Sequence, residues 1–209
     1  MNLLWLKASP RTERSHSTAV AAAFTEAYAK AHPDDEVREW DLFTEELPTF
    51  DGLALQAKYT ILHGMEHTAE ELEAWKAVEA AIERFTWADR IVLSVPMWNF
   101  GIPYRLKHFF DVIVQPGYTF SYTPEEGYTG LVTGRKALAV YASGGAYGEG
   151  TGAEAYDQQK PYVNLILGFM GITDVATLAV EPTLMGGPEA AQAAREAALA
   201  KARELAERF

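Results

Sequence analysis

Apolar positions along the chain fall into two kinds of run, short and continuous or long and spaced by three and four residues, and the two kinds alternate. The short runs are LLWLK (Leu3 to Lys7), RIVLSVP (Arg90 to Pro96), KALAVYAS (Lys136 to Ser143) and DVATLAVE (Asp174 to Glu181). Together with EVREWDL (Glu36 to Leu42), which alternates polar and apolar, they predict five strands. Helical spacing covers Thr18 to His32, closed by HPDD, then about Gly52 to Gly64 and Ala69 to Thr86. It returns from about Pro103 to Val114, from roughly Glu154 to Met170, and in an amphipathic stretch from Gly187 onward. Strands alternating with helices predict an α/β fold, a parallel sheet with helices on both faces. No repeat, linker or compositional break divides the pattern, so residues 1–209 are expected to form a single domain.

In sheets of this kind a ligand lies beyond the carboxyl ends of the strands, where the strand order reverses. Three loops occupy such ends. ASPRTERSHS follows the first strand and carries Ser9, Ser15 and Ser17 just before a helix. Serine is a favoured helix cap, and one would serve; three hydroxyls with free N–H groups and a helix dipole also make a cradle for phosphate. PMWNFGIP follows the third strand and sets large aromatics beside bends permitted by Gly and Pro. SGGAYGEG follows the fourth, where Gly144, Gly145, Gly148 and Gly150 allow close backbone approach. Aromatics more often fill cores and glycines more often make turns, but all three loops converge on one expected edge.

Charge narrows the class of partner. With 18 Lys and Arg against 29 Asp and Glu, the net charge of −11 repels nucleic acid and anionic membranes. The apolar stretch before Lys7 is too short for a signal peptide and no stretch approaches membrane-spanning length, so the expected location is cytoplasmic. There is no cysteine, which removes disulfides, thiolate metal sites and a Cys nucleophile. HGMEH (His63 to His67) matches an inverted zinc-peptidase pattern, but Gly64 weakens the helix it needs and the segment reads as a solvated loop. Neither a P-loop nor a dinucleotide G-x-G-x-x-G is present. His108 and Asp111 are expected to share a helix-face hydrogen bond, and Arg11 is expected to face solvent.

Taken in order, SPRTERSHS, PMWNFGIPYRLKHFFD, GYTFSYTPEEGYTGLV, ASGG and LGFMGITDV resemble the FMN-dependent NADH azoreductase and NAD(P)H quinone reductase family, a branch of the flavodoxin-like flavoproteins. The likeness runs over nearly the whole chain, and the second string is its most specific part. It implies a flavodoxin-like five-stranded sheet of order 2-1-3-4-5 and non-covalent FMN. The first loop, at Ser9, Ser15, His16 and Ser17, would hold the FMN phosphate. Pro96, Met97, Trp98, Asn99 and Phe100 would run along the isoalloxazine and ribityl. Ala142, Ser143, Gly144 and Gly145 would approach the pyrimidine end, where some relatives carry arginine at the position of Ser143. The implied activity is two-electron reduction of quinones and reductive cleavage of azo compounds by a ping-pong cycle, with NADH or NADPH as donor. Hydride chemistry then belongs to FMN N5, and no side chain or metal is assigned a catalytic role. Relatives build the substrate pocket from two subunits, which implies a homodimer, with Phe120 and Tyr147 as substrate-pocket positions. The alternative is an electron carrier of the flavodoxin type, and a third reading is an FMN-binding regulator without turnover. The long segments Phe43 to Thr68 and Gln115 to Gly134 favour the enzyme, because they can wall a pocket that a carrier does not need.

Overall fold

Of the continuous apolar runs, LLWLK, RIVLSVP and KALAVYAS become strands buried from both sides, and DVATLAVE becomes a half-exposed strand at the sheet edge. This is the arrangement in a computed structural model of the chain, which describes the backbone of residues 1–209 and every side chain except that of Glu13. The strands are β1 (Asn2–Lys7), β2 (Glu36–Asp41), β3 (Arg90–Pro96), β4 (Phe120–Thr123), β5 (Gly127–Gly130), β6 (Lys136–Ala142) and β7 (Asp174–Val180). Five of them make one parallel sheet in the order β2-β1-β3-β6-β7. The labels depart from 2-1-3-4-5 because β4 and β5 form a separate two-stranded sheet that the hydrophobic pattern does not predict.

Side chains along β1 alternate between two cores, as the pleat requires. Leu3 and Trp5 join Val20 and Phe24 of α1 (His16–Ala31) and Ala198 and Ala202 of α6 (Gly187–Ala206). Leu4 and Leu6 face the other way, onto α2 (Gly52–Leu62), α3 (Ala69–Thr86), α4 (Tyr104–Ile113) and α5 (Lys160–Met170). Ala57, Val78, Phe85, Leu106, Phe109 and Leu167 carry that second core. A capping box starts α3: Thr68 Oγ1 accepts from Glu71 N at 3.1 Å while Glu71 Oε2 accepts from Thr68 N at 2.7 Å. Among the described residues no helix is long and apolar enough to cross a membrane.

Three expectations are corrected. The helix expected from Glu154 begins at Lys160, leaving only a 3₁₀ turn at Glu154–Tyr156. Asp157 sets the new start, its Oδ1 accepting from the N–H groups of Gln159 and Lys160 at 3.0 Å each, and Pro161 sits in the first turn. The first helix begins earlier, at His16, because the Ser15 hydroxyl accepts from Thr18 N at 3.3 Å. His108 and Asp111 are not bonded to each other. His108 Nε2 meets Pro48 O at 2.8 Å, and Asp111 takes the Lys107 ammonium.

The extra hairpin is anchored on α5. Phe120 pairs with Gly130 across it, and the Phe120 ring lies 4.7 Å from the Phe169 ring. At Gly130 a Cβ would fall 2.3 Å from Gly171 N, so the backbones of hairpin and helix end touch there. Gly171 closes α5 in the left-handed region with φ of +100°.

Candidate functional site

The carboxyl ends of β1, β3 and β6 lie side by side, and their loops enclose a cleft of about 200 Å³. Ala8 N donates to Ser94 O and Met97 N to Ala142 O, at 3.1 and 2.7 Å, so the ladder continues into the loops before they diverge. Ser9, Ser15 and His16 line one side, Pro96, Met97 and Trp98 the floor, and Ala142, Ser143 and Gly144 the other side.

On the first side everything converges on the start of α1. Ser15 caps it, and Ser15 Oγ lies 3.3 Å from Ser17 Oγ. Ser17 is fully buried and does not line the cleft; Ser9 and Ser15 are buried yet reach it. Burial, with the Arg195 and Arg11 guanidiniums nearby, holds His16 below the ordinary imidazole value of 6.5. The ring is therefore uncharged at neutral pH, and its buried Nδ1 has no hydrogen-bond partner among the described residues. Arg11, expected in solvent, is exposed and also lines the cleft.

Trp98 and Gly101 exchange both of their backbone hydrogen bonds, each at 3.0 Å, which closes a four-residue turn just past the floor, and its central residues, Asn99 and Phe100, like Gly145, fall outside the cleft lining. Asn99 and Phe100 have φ of +48° and +70°. Positive φ at both central positions is the signature of a type I′ turn, where Asn-Gly is preferred. Apart from Thr12 in the first loop (φ +46°), these are the only non-glycine residues in the left-handed region among those described. Strained backbone is thus confined to two of the three loops, and such strain persists only where the surroundings enforce it. The N–H groups of Asn99, Phe100, Gly144 and Gly145 have no partner among the described residues. The Trp98 ring is steadied by Phe43 and Tyr104, at 5.7 and 6.1 Å between centroids. Phe100 turns outward against Tyr147 and Tyr156.

On the far side, Thr183 and Leu184 line the cleft, and no sequence signal points to them. They arrive because the loop after β7 folds back: Thr183 N and Oγ1 both donate to Ser143 O at 2.9 Å, and Leu184 N donates to Gly144 O at 3.0 Å. A Cβ at Gly144 or Gly145 would be tight, 3.1 Å from Leu184 Cδ1 and 3.0 Å from Met185 Sδ respectively, so those flexible side chains would have to shift to admit it. Tyr147 packs over Gly145 at the rim. Phe120 is placed apart from the cleft lining, in the hairpin, against Tyr128 and Phe169.

A larger cavity of about 520 Å³ flanks α4, lined by Lys58, His108 and Tyr162, and none of the three loops reaches it. His63 closes α2, its Nδ1 donating to Tyr59 O at 2.8 Å. Among the described residues no group of three or more His, Asp or Glu could hold a metal ion.

Comparison with known proteins places this architecture among described ones. The Flavodoxin_2 family model, a flavodoxin-like fold, matches residues 1–206. An FMN-dependent NADH:quinone oxidoreductase of Nitratidesulfovibrio vulgaris is 53% identical over 207 residues, covering 99% of both chains. A Pseudomonas fluorescens protein of the same name is 41% identical, over 99% of this chain and 96% of its own. Among solved structures, an azoreductase from Bacillus anthracis superposes with a TM-score of 0.92 at 33% identity over the full length of both chains. An FMN-dependent NADH-azoreductase from the same organism, in complex with FMN, gives 0.87 at 28% identity over 98% of this chain and 99% of its own.

Proposed function

Because the chain belongs to the Flavodoxin_2 family of flavodoxin-like folds, we infer that it is an FMN-dependent NADH:quinone oxidoreductase that also cleaves azo compounds reductively. The relatives' names carry NADH, and on that ground we take NADH over NADPH. The observation that supports this reading best is the two-ended chemistry of the cleft. Hydroxyls, an imidazole and a helix start line one end, and Pro96, Met97 and the Trp98 indole line the other, next to the strained Asn99–Phe100 turn. A phosphate suits the first and a flat ring with carbonyls and ring nitrogens suits the second, so the residues fit FMN.

FMN, when bound, supplies the two-electron chemistry, so the protein's part is to bind, orient and tune. Ser9 and Ser15 hydroxyls would donate to the phosphate, with the start of α1 contributing dipole and N–H groups. Met97 N–H is already taken by Ala142 O and Trp98 N–H by Gly101 O, so donors toward the ring on this side would have to come from Asn99 and Phe100, in the turn beside the cleft lining. Gly144 and Gly145 would offer theirs at the pyrimidine end. His16 and Ser17 complete the phosphate end, Ser17 by holding Ser15 rather than by touching the ligand. Pro96 and Ala142 offer no competing side-chain donors beside the ring.

The expected kinetics follow from one cleft serving both substrates in turn. NADH must leave before the acceptor enters, so reconstituted protein should give parallel double-reciprocal lines when NADH is varied at several quinone concentrations. Intersecting lines would show a ternary complex and overturn the shared place. Yellow protein that bleaches with NADH but does not recover with quinone would favour the carrier reading instead.

A second copy of the chain is part of the proposal. Tyr104, Tyr122 and Tyr128 are 64%, 59% and 67% exposed. Aromatic surface of that extent is costly in water unless a partner covers it. Phe120 and Tyr147 would then wall a substrate pocket completed across the interface. Light scattering at micromolar concentration should give twice the chain mass of 23.1 kDa; a fully active monomer would exclude it. Such a protein would work in the cytoplasm, where NADH is supplied.

A further inference from the structure

Behind the loop that follows β6 lies a polar cluster with no assigned role. Lys160 Nζ, at the start of α5, donates to both Glu181 oxygens at 2.9 and 3.0 Å and lies 3.3 Å from Asp157 Oδ2. The three side chains are 20%, 16% and 8% exposed for Lys160, Glu181 and Asp157. Glu181 Oε2 in turn accepts from Ser143 Oγ at 3.1 Å, and that hydroxyl also reaches Gly145 O at 2.8 Å. Lys160 is thus linked through one carboxylate to the residue that lines the cleft. One ammonium faces two carboxylates, which leaves a formal net charge of minus one close behind the loop.

We propose that Lys160 is a positioning residue that sets the charge felt at the pyrimidine end of the flavin, acting through Glu181 and Ser143. The proposal rests on the FMN reading above and deepens it. Ser143 brings no cation of its own to this end of the cleft. Reduced flavin collects negative charge on its pyrimidine ring, so a negative cluster behind that ring favours the oxidised form. Lys160 limits this bias by neutralising one of the two carboxylates. Its ammonium also locks the Ser143 hydroxyl to the Glu181 carboxylate, while Thr183 holds the Ser143 carbonyl from the other side. Charge and loop position are therefore set by one group.

The two roles separate experimentally, because charge variants must act with opposite sign. Lys160→Gln deepens the cluster to two net negative charges, and Glu181→Gln brings it to zero while retaining an acceptor for Ser143. In an effective dielectric near 20, one unit of charge roughly 12 Å from the reduced ring is worth about tenfold in the ratio of reduced to oxidised FMN affinity. For a two-electron couple tenfold is about 30 mV. The midpoint potential of FMN-loaded protein, measured by equilibration against reference dyes, should fall in Lys160→Gln and rise in Glu181→Gln by about that amount, and Lys160→Arg should restore the parent value. Potentials that move in the same direction, or stay put, would overturn the proposal while leaving FMN binding intact. A parent protein that retains no FMN would overturn the underlying reading itself, which a fluorescence titration reports before any potential is measured.

Discussion

Ser15→Asp is expected to abolish FMN binding while leaving the fold intact. Ser15 has two roles that aspartate separates. As the cap of α1 its oxygen accepts from Thr18 N–H, and aspartate is as good a cap as serine. As a cleft-lining hydroxyl it would donate to a phosphate, and a carboxylate cannot. A carboxylate about 4 Å from a phosphate dianion, in an effective dielectric near 20, weakens binding on the order of a thousandfold or more. Melting of the apoprotein should change by less than about 1 kcal/mol equivalent, because the cap survives. Riboflavin, which lacks the phosphate, is the necessary control, and its affinity should be unchanged within a few fold. Retention of FMN at parental affinity, or equal weakening of riboflavin, would move the phosphate elsewhere.

Gly130→Ala should cost more stability than any surface change. The added methyl would meet Gly171 N at 2.3 Å and the Met170 carbonyl carbon at 2.5 Å, and both are backbone atoms that cannot rotate away. Gly171 cannot readily yield, since its φ of +100° ends the helix. Relief requires the β4–β5 hairpin to lift from α5, separating Phe120 and Tyr128 from Phe169. Overpacking of a tight contact costs about 3 kcal/mol at the upper end of its usual range, and for a chain of this size that lowers Tm by roughly 6 to 12 °C. Calorimetry on parent and variant decides it, and a shift below about 2 °C would mean that the two backbones are not in contact.

Most of the fold is legible because its three central strands are doubly covered. LLWLK and KALAVYAS carry apolar residues at every position that faces a core, and only a strand between two helical layers needs that. The hairpin does have a signal in the sequence: FSYT and GYTG flank Pro124, Glu125 and Glu126, and Gly127 takes φ of +74° at the turn. Its aromatic side chains suit a ligand wall as well as a strand, so composition alone does not separate the two. The start of α5 was also recoverable, since Pro161 belongs in a first turn and Asp157, just ahead of it, is a ready acceptor for N–H groups at a helix start. At the cleft, the three loops were legible from the rule about strand ends. Thr183 and Leu184 were not, because they reach it through backbone hydrogen bonds to Ser143 and Gly144 that depend on β6 and β7 being neighbours. Nor does any pattern in the sequence distinguish Ser17, buried beneath the loop, from Ser9 and Ser15, which open onto the cleft.

The turn at Trp98 to Gly101 gives a protein designer two opposed instructions. Backbone preference alone would write Asn-Gly at its centre, and the chain writes Asn-Phe, placing a bulky side chain at φ of +70° where each such residue costs on the order of 1 kcal/mol or more. In exchange the ring packs against Tyr147 and Tyr156 at the rim. An optimiser that scores the folded chain by conformational energy alone would propose glycine at position 100, and would thereby remove the rim's central aromatic. Positions 99 and 100 therefore belong on the list held constant in any stabilised version of this scaffold, because local comfort and the aromatic packing at the rim are in conflict there.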